Sequence, residues 1–152
     1  MKKILYTLAV LIITSVALPA RAASEVSGAA NGYAIEGYDT VAYFTEGLAT
    51  KGDSRFTADW HGAKWRFANS EHRDLFMAHP EQYAPQYGGY CAYATAHNGV
   101  ADGAAERWKI VDNKLYLNTN LFAQKLWQND IPGNISSADQ NWPEVQHKIK
   151  EK

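Results

Sequence analysis

The sequence predicts a small α+β domain, because two stretches alternate apolar and polar residues about a tight turn and a capped helical pattern follows each of them. The first stretch alternates Phe56, Ala58 and Trp60, then Ala63, Trp65 and Phe67 after the turn pair His61-Gly62. Asn69 or Ser70 then caps a helix reaching Ala78, with Glu71 at its positive end and Pro80 as its stop. The second stretch runs Arg107 to Val111 and Lys114 to Leu117 about Asp112-Asn113. Asn118 or Thr119 is expected to cap a helix from Asn120 through Trp127, with Phe122 and Leu126 sharing a face, and Asp130-Ile131-Pro132-Gly133 to end it. Hairpin followed by helix, twice, is the only repetition in the chain.

The chain opens with an export signal. Lys2 and Lys3 supply a positive start, Ile4 to Leu18 an apolar stretch, and Ala20-Arg21-Ala22 small residues at a cleavage site. Residues 1–22 are therefore expected to be a cleaved signal peptide, and 23–32 a flexible leader. Residues 33–145 are expected to form the domain, with Trp142-Pro143 docking on its body, and 146–152 a charged, frayed tail. A short cationic start with no lipobox cysteine points to the periplasm, with no membrane attachment after cleavage.

A mature chain of about 130 residues suits one core. The net charge of −1 supplies no basic field for a phosphate backbone, so nucleic acid is excluded as a partner. Five Trp, nine Tyr and five Phe can build a dense core, and they must, because Cys91 is the only cysteine and no internal disulfide is possible. Trp65, Phe67, Phe76, Trp108, Leu115, Leu117 and Leu126 are expected to meet in it.

Chemistry-bearing residues are few. None of the five histidines stands at a spaced metal motif, and no Gly-x-Ser-x-Gly, His-Glu-x-x-His or phosphate-cradling loop occurs. Cys91 is the leading candidate atom. It could ligate a soft metal, copper or zinc, with His72 or His97, act as a thiol nucleophile, or simply be packed. Tyr38, Tyr87, Tyr90, Tyr93 and Trp108 could line a pocket with Cys91, since such side chains join an apolar face to a polar tip.

The succession Gly37-Tyr38-Asp39-Thr40-Val41-Ala42-Tyr43-Phe44, the hairpin and helix from Phe67 to Tyr83, Tyr87-Gly88-Gly89-Tyr90-Cys91-Ala92 and Asp130 to Asn134 resembles secreted YHS-domain proteins over nearly the whole mature chain. The resemblance implies a small α+β domain and a metal-handling role. The chain departs from the ligand-bearing form: Ala42 and Phe44 replace its soft sulfur ligands, and its two helix-start cysteines fall on Ala68 and His72. The functional expectation is a periplasmic binding module for a metal ion or small ligand. The alternatives are a protein-interaction module with an exposed aromatic or apolar face, and a thiol-dependent enzyme working through Cys91.

Overall fold

Both expected hairpins form, and each turns on two residues of positive φ: His61 (50°) and Gly62 (69°) in one, Asp112 (49°) and Asn113 (58°) in the other. Positive φ at both central positions makes a two-residue turn whose twist matches the flanking strands. In the computed structural model, which describes residues 24–151, the chain is α+β. Strand β1 (Tyr38–Asp39) leads into the short helix α1 (Ala42–Thr45) and pairs with β2 (Thr50–Lys51). The first hairpin is β3 (Asp53–Trp60) and β4 (Ala63–Phe67), followed by α2 (Ser70–Ala78) and α3 (Pro80–Tyr83). Helix α4 (Ala92–Ala96) precedes the second hairpin, β5 (Ala104–Val111) and β6 (Lys114–Asn118), and α5 (Leu121–Asn129) and α6 (Ile131–Lys150) complete the order. Each of the three sheets is two-stranded and antiparallel. The expected signal segment 1–22 lies outside the described residues. Among the described residues no helix is long and apolar enough to cross a membrane.

The repetition runs deeper than hairpin then helix. In the first hairpin Asp53 pairs with Phe67 and Thr57 with Arg66; in the second Ala104 pairs with Asn118 and Trp108 with Leu117. The same bulge thus recurs at a constant offset of 51 residues. Upstream, left-handed backbone at Ile35 and Glu36 precedes Gly37-Tyr38, and left-handed backbone at Tyr87 and Gly88 precedes Gly89-Tyr90. Gly52 N–H donates to the Gly37 carbonyl at 2.9 Å, and Gly103 N–H to the Gly89 carbonyl at 3.1 Å. The helices that follow the hairpins are both nine residues long and are capped alike, Asn69 Oδ1 accepting from His72 N–H and Asn120 Oδ1 from Ala123 N–H. Trp65 lies on Phe76 at 4.9 Å and 33°, and Tyr116 on Trp127 at 5.3 Å and 34°. The molecule is two copies of one supersecondary unit.

The first copy packs its apolar faces into a core of Val41, Tyr43, Trp65, Phe67 and Phe76, joined by Leu115 and Leu117 from the second hairpin. Trp108 is half-buried against that core, its ring 5.1 Å from Tyr43. A second cluster gathers Tyr87, Ala92, Ala96, Tyr116, Trp127 and Ala138. Leu126 does not join the core as expected. Asn118 is unavailable as a cap, because its Oδ1 accepts from Tyr93 N–H at 3.1 Å, so Asn120 caps α5 instead. That start turns Ala123 and Trp127 inward and leaves Phe122 72% exposed.

Two expected boundaries come out differently. Asp130 ends α5 as expected, but the chain does not leave helix there: Asp130 Oδ1 accepts from Gly133 N–H at 3.0 Å and starts α6, where Pro132 occupies a first-turn position whose N–H has no helical partner to lose. Helix α6 continues through Trp142-Pro143 to Lys150 and buries Ala138, Val145 and Ile149, so the expected tail is the outer wall of the second copy. The segment expected as a leader is built in as well. Val26 and Ser27 are buried, Ser27 N–H donates to the Gly88 carbonyl at 2.9 Å, and Ile35 N–H returns to the Ser27 carbonyl at 2.9 Å.

Candidate functional site

Asp39 is fully buried, and its carboxylate meets four groups from two separate stretches of the first copy. Its Oδ1 accepts from Val41 N–H at 2.9 Å and Ala42 N–H at 3.3 Å, which fixes the entry to α1. Its Oδ2 accepts from Ala68 N–H at 2.8 Å and meets His72 Nδ1 at 2.6 Å, which ties that entry to the start of α2. With Nδ1 held by the carboxylate, His72 turns Nε2 toward the Thr45 hydroxyl at 3.3 Å and the Glu46 carboxylate at 3.8 Å. The equivalents of Asp39 and His72 in the second copy are Cys91 and Ala123.

Cys91 is fully buried, with Sγ 3.6 Å from Asn118 Oδ1 and its backbone N–H on the Ala101 carbonyl. His97, at the far end of α4, is exposed and directs Nδ1 to the Tyr93 carbonyl of its own turn at 2.9 Å. Cys91, His72 and His97 therefore do not converge. Among the described residues no three His, Cys, Asp or Glu side chains stand close enough to hold a metal ion together. With apolar Ala42, Phe44 and Ala68 at the other positions of the resembling motif, the donor set does not fit a soft metal.

The aromatic candidates are dispersed too. Tyr87 is buried and donates its hydroxyl to Asp139 at 2.8 Å; burial, reinforced by that carboxylate, pushes its ionisation far above the ordinary tyrosine range. Tyr90 donates to the Ser24 carbonyl at 2.9 Å and is raised by burial and then by Asp102. Tyr93 is half-buried beside the His97 ring at 4.3 Å. Trp108 packs on Tyr43. Tyr38 alone of the expected set reaches a cleft of useful size.

That cleft has a volume of 430 Å³ and lies where the bulge of β5 faces the left-handed turn before β1 and the first turn of α5. Glu36 and Tyr38 form one wall, the bulge residues Glu106 and Arg107 another, and Thr119, Asn120 and Leu121 the end. A bulge re-aims side chains that a regular ladder would alternate between faces, which explains how neighbouring Glu106 and Arg107 both reach one cleft. The side chains of Glu36, Glu106, Arg107 and Thr119 make no hydrogen bond or ion pair among the described residues. Lys51 sits over the Tyr38 ring at 4.1 Å and donates to the Glu36 carbonyl at 3.0 Å, holding that wall in place.

Other cavities occur among the described residues: a shallow one of 490 Å³ bounded by the single stretch Ala78 to Gln82, between α2 and α3, and two smaller ones. One of 200 Å³ lies beneath Val26, Tyr90 and Asp102; another of 170 Å³ has Trp60, His61, Trp65 and Trp142 in its walls. Sequence reasoning missed Glu36, Arg107, Thr119 and Asn120 because nothing in the linear pattern marks a bulge. The available signal was weak: consecutive charges, Glu106-Arg107, ahead of the alternation Trp108-Lys109-Ile110. In comparison with known proteins, no family model, no curated protein and no solved structure matches the chain.

Proposed function

We propose that the protein is a periplasmic binding module of the YHS type, and that it holds a small polar ligand in the cleft between Tyr38 and the β5 bulge. The observation that carries this reading is the cleft itself. At 430 Å³ it falls within the roughly 300–1,000 Å³ of small-molecule sites, and its walls bring together charged and hydroxyl groups that make no hydrogen bond or ion pair among the described residues. The burial of Cys91 and the scatter of the histidines favour a small molecule over a copper or zinc ion. Native mass spectrometry of protein purified from periplasm, with metal analysis alongside, tests the reading. The expected result is a non-covalent adduct of small mass that Arg107→Gln abolishes while the circular dichroism spectrum is unchanged. Stoichiometric copper or zinc in place of such an adduct would overturn it.

One observation favours a second reading, a protein-interaction module. Leu121, which lines the same cleft, is 48% exposed and its chain neighbour Phe122 72%, an apolar pair that a partner could cover. Co-elution of the protein with a periplasmic protein, lost in Phe122→Ser and retained in Arg107→Gln, would select that reading.

A further inference from the structure

The two copies of the supersecondary unit solve the same packing problem, so their differences show what the fold does not need. The bulge of β3 is electrically closed. Arg55 Nη2 meets Asp53 Oδ2 at 2.7 Å and Arg55 Nε meets both carboxylate oxygens at 3.1 Å, and these hydrogen bonds hold Asp53 down at about 2. In the second copy Asp53 is replaced by Ala104 and Arg55 by Glu106, and Phe56 is replaced by Arg107. The same backbone device therefore carries two opposite charges, neither of which has an ion-pair partner among the described residues, and both line the 430 Å³ cleft. The fold tolerates a closed bulge at this place, so the open one is not a packing requirement.

Resting on the reading of this cleft as the ligand site, we propose that its ligand is a zwitterion of the α-amino-acid class with a small apolar side chain. Arg107 offers the planar fork that recognises a carboxylate through two parallel hydrogen bonds. Glu36 and Glu106 supply acceptors for an ammonium group. Thr119 and the Asn120 amide nitrogen, whose partner oxygen is committed to capping α5, remain to bond the carboxylate edge. The Tyr38 ring, Ala104, Ala105 and Leu121 provide apolar walls. An uncharged sugar would leave Arg107 and both carboxylates without counter-charges, whereas a zwitterion offers each sign its complement at once. A simple anion would satisfy Arg107 and be repelled by Glu36 and Glu106.

Calorimetric titration of the purified protein with L-leucine, N-acetyl-L-leucine, L-leucinamide and glucose tests the proposal. L-leucine is expected to bind, with N-acetyl-L-leucine and L-leucinamide each weaker by about tenfold or more, because each leaves one charged wall unpaired. Arg107→Gln is expected to weaken L-leucine by about tenfold and leave L-leucinamide unchanged, while Glu106→Gln leaves N-acetyl-L-leucine unchanged and weakens L-leucine. Circular dichroism of both variants confirms that the fold is intact. Equal affinity for L-leucine and its two blocked forms would overturn the zwitterion assignment. Binding of glucose with none of L-leucine would overturn it too but leave the cleft as a ligand site. Absence of binding by all four probes, together with absence of a cleft-dependent adduct in native mass spectrometry, would bring down both.

Discussion

A carboxylate that accepts from three backbone amides and one imidazole cannot be exchanged for an amide without orphaning donors, and Asp39 is in that position. Asn at 39 offers one acceptor oxygen and turns an NH₂ group toward donors. Asp39→Asn is therefore expected to cost about 2–4 kcal/mol in urea melts, since each buried donor left unpaired costs about 1–3 kcal/mol. His72→Ala removes the Asp39 contact and the longer ones to Thr45 and Glu46 but leaves the three backbone amides on Asp39, and it copies what the second copy has at that position, Ala123, so a smaller loss of about 1–2 kcal/mol is expected. Cys91 plays a different part at the equivalent position. Its thiol is sealed beside Asn118 and should react with a disulfide reagent only as fast as the protein unfolds; reaction at the rate of a free thiol would show that the segment opens.

At the scale of elements, the cap decides which face of a helix goes inward. Asn120, and not Asn118 or Thr119, begins α5, so Trp127 is sequestered and Phe122 stands 72% exposed. Trp127→Ala should cost about 3–5 kcal/mol and Phe122→Ser less than about 1 kcal/mol, a contrast that thermal melts of the two variants read directly. Reversal of that order would mean that the helix sits one residue out of the register described. The docking of the segment before β1 hangs on a single glycine. Gly88 has φ +60°, and a Cβ there would strike the Glu25 carbonyl. Gly88→Ala is expected to destabilise by about 2 kcal/mol, from left-handed backbone strain plus displacement of the strap, and to speed amide exchange at Ser27 and Ile35 first. Uniform loss of protection would refute the strap.

For the whole molecule, the tyrosines tie stability to alkali. Burial raises Tyr116 to about 12, with Asp139 and Asp112 adding to it, and raises Tyr43 and Tyr87 further still. A group whose neutral form is favoured in the fold contributes stability that is complete below its unfolded value near 10 and is lost as pH rises above it. The urea midpoint should accordingly be flat through neutral pH and fall from about pH 10 upward, with tyrosinate absorbance at 295 nm appearing in step with unfolding. Ionisation of Tyr43, Tyr87 and Tyr116 ahead of any loss of structure would contradict the packing of both clusters. Tyr43→Phe, which keeps the ring and loses only its 2.7 Å bond to the Ala105 carbonyl, should reduce the steepness of that fall.

Alternation about His61-Gly62 and Asp112-Asn113, and capping residues ahead of apolar runs, depend on interactions a few residues apart, so the α+β class, both hairpins and the start of α2 were legible in the chain by itself. Cys91 was readable as unpaired for the same reason, since a lone cysteine needs no fold to establish that it has no internal partner. What required tertiary structure was every choice between equivalent local options. Asn118, Thr119 and Asn120 are all competent caps, and a contact from Tyr93 in α4 removed the first of them. The helical continuation past Asp130 depends on a groove that only the folded second copy offers. The bulge that turns Glu106 and Arg107 toward Tyr38 arises where β5 pairs with β6 out of step, a register set by packing against Leu115 and Leu117. A cleft is formed by residues far apart in sequence, Glu36 and Tyr38 against Arg107 and Asn120, and linear periodicity carries no information about which distant faces will meet.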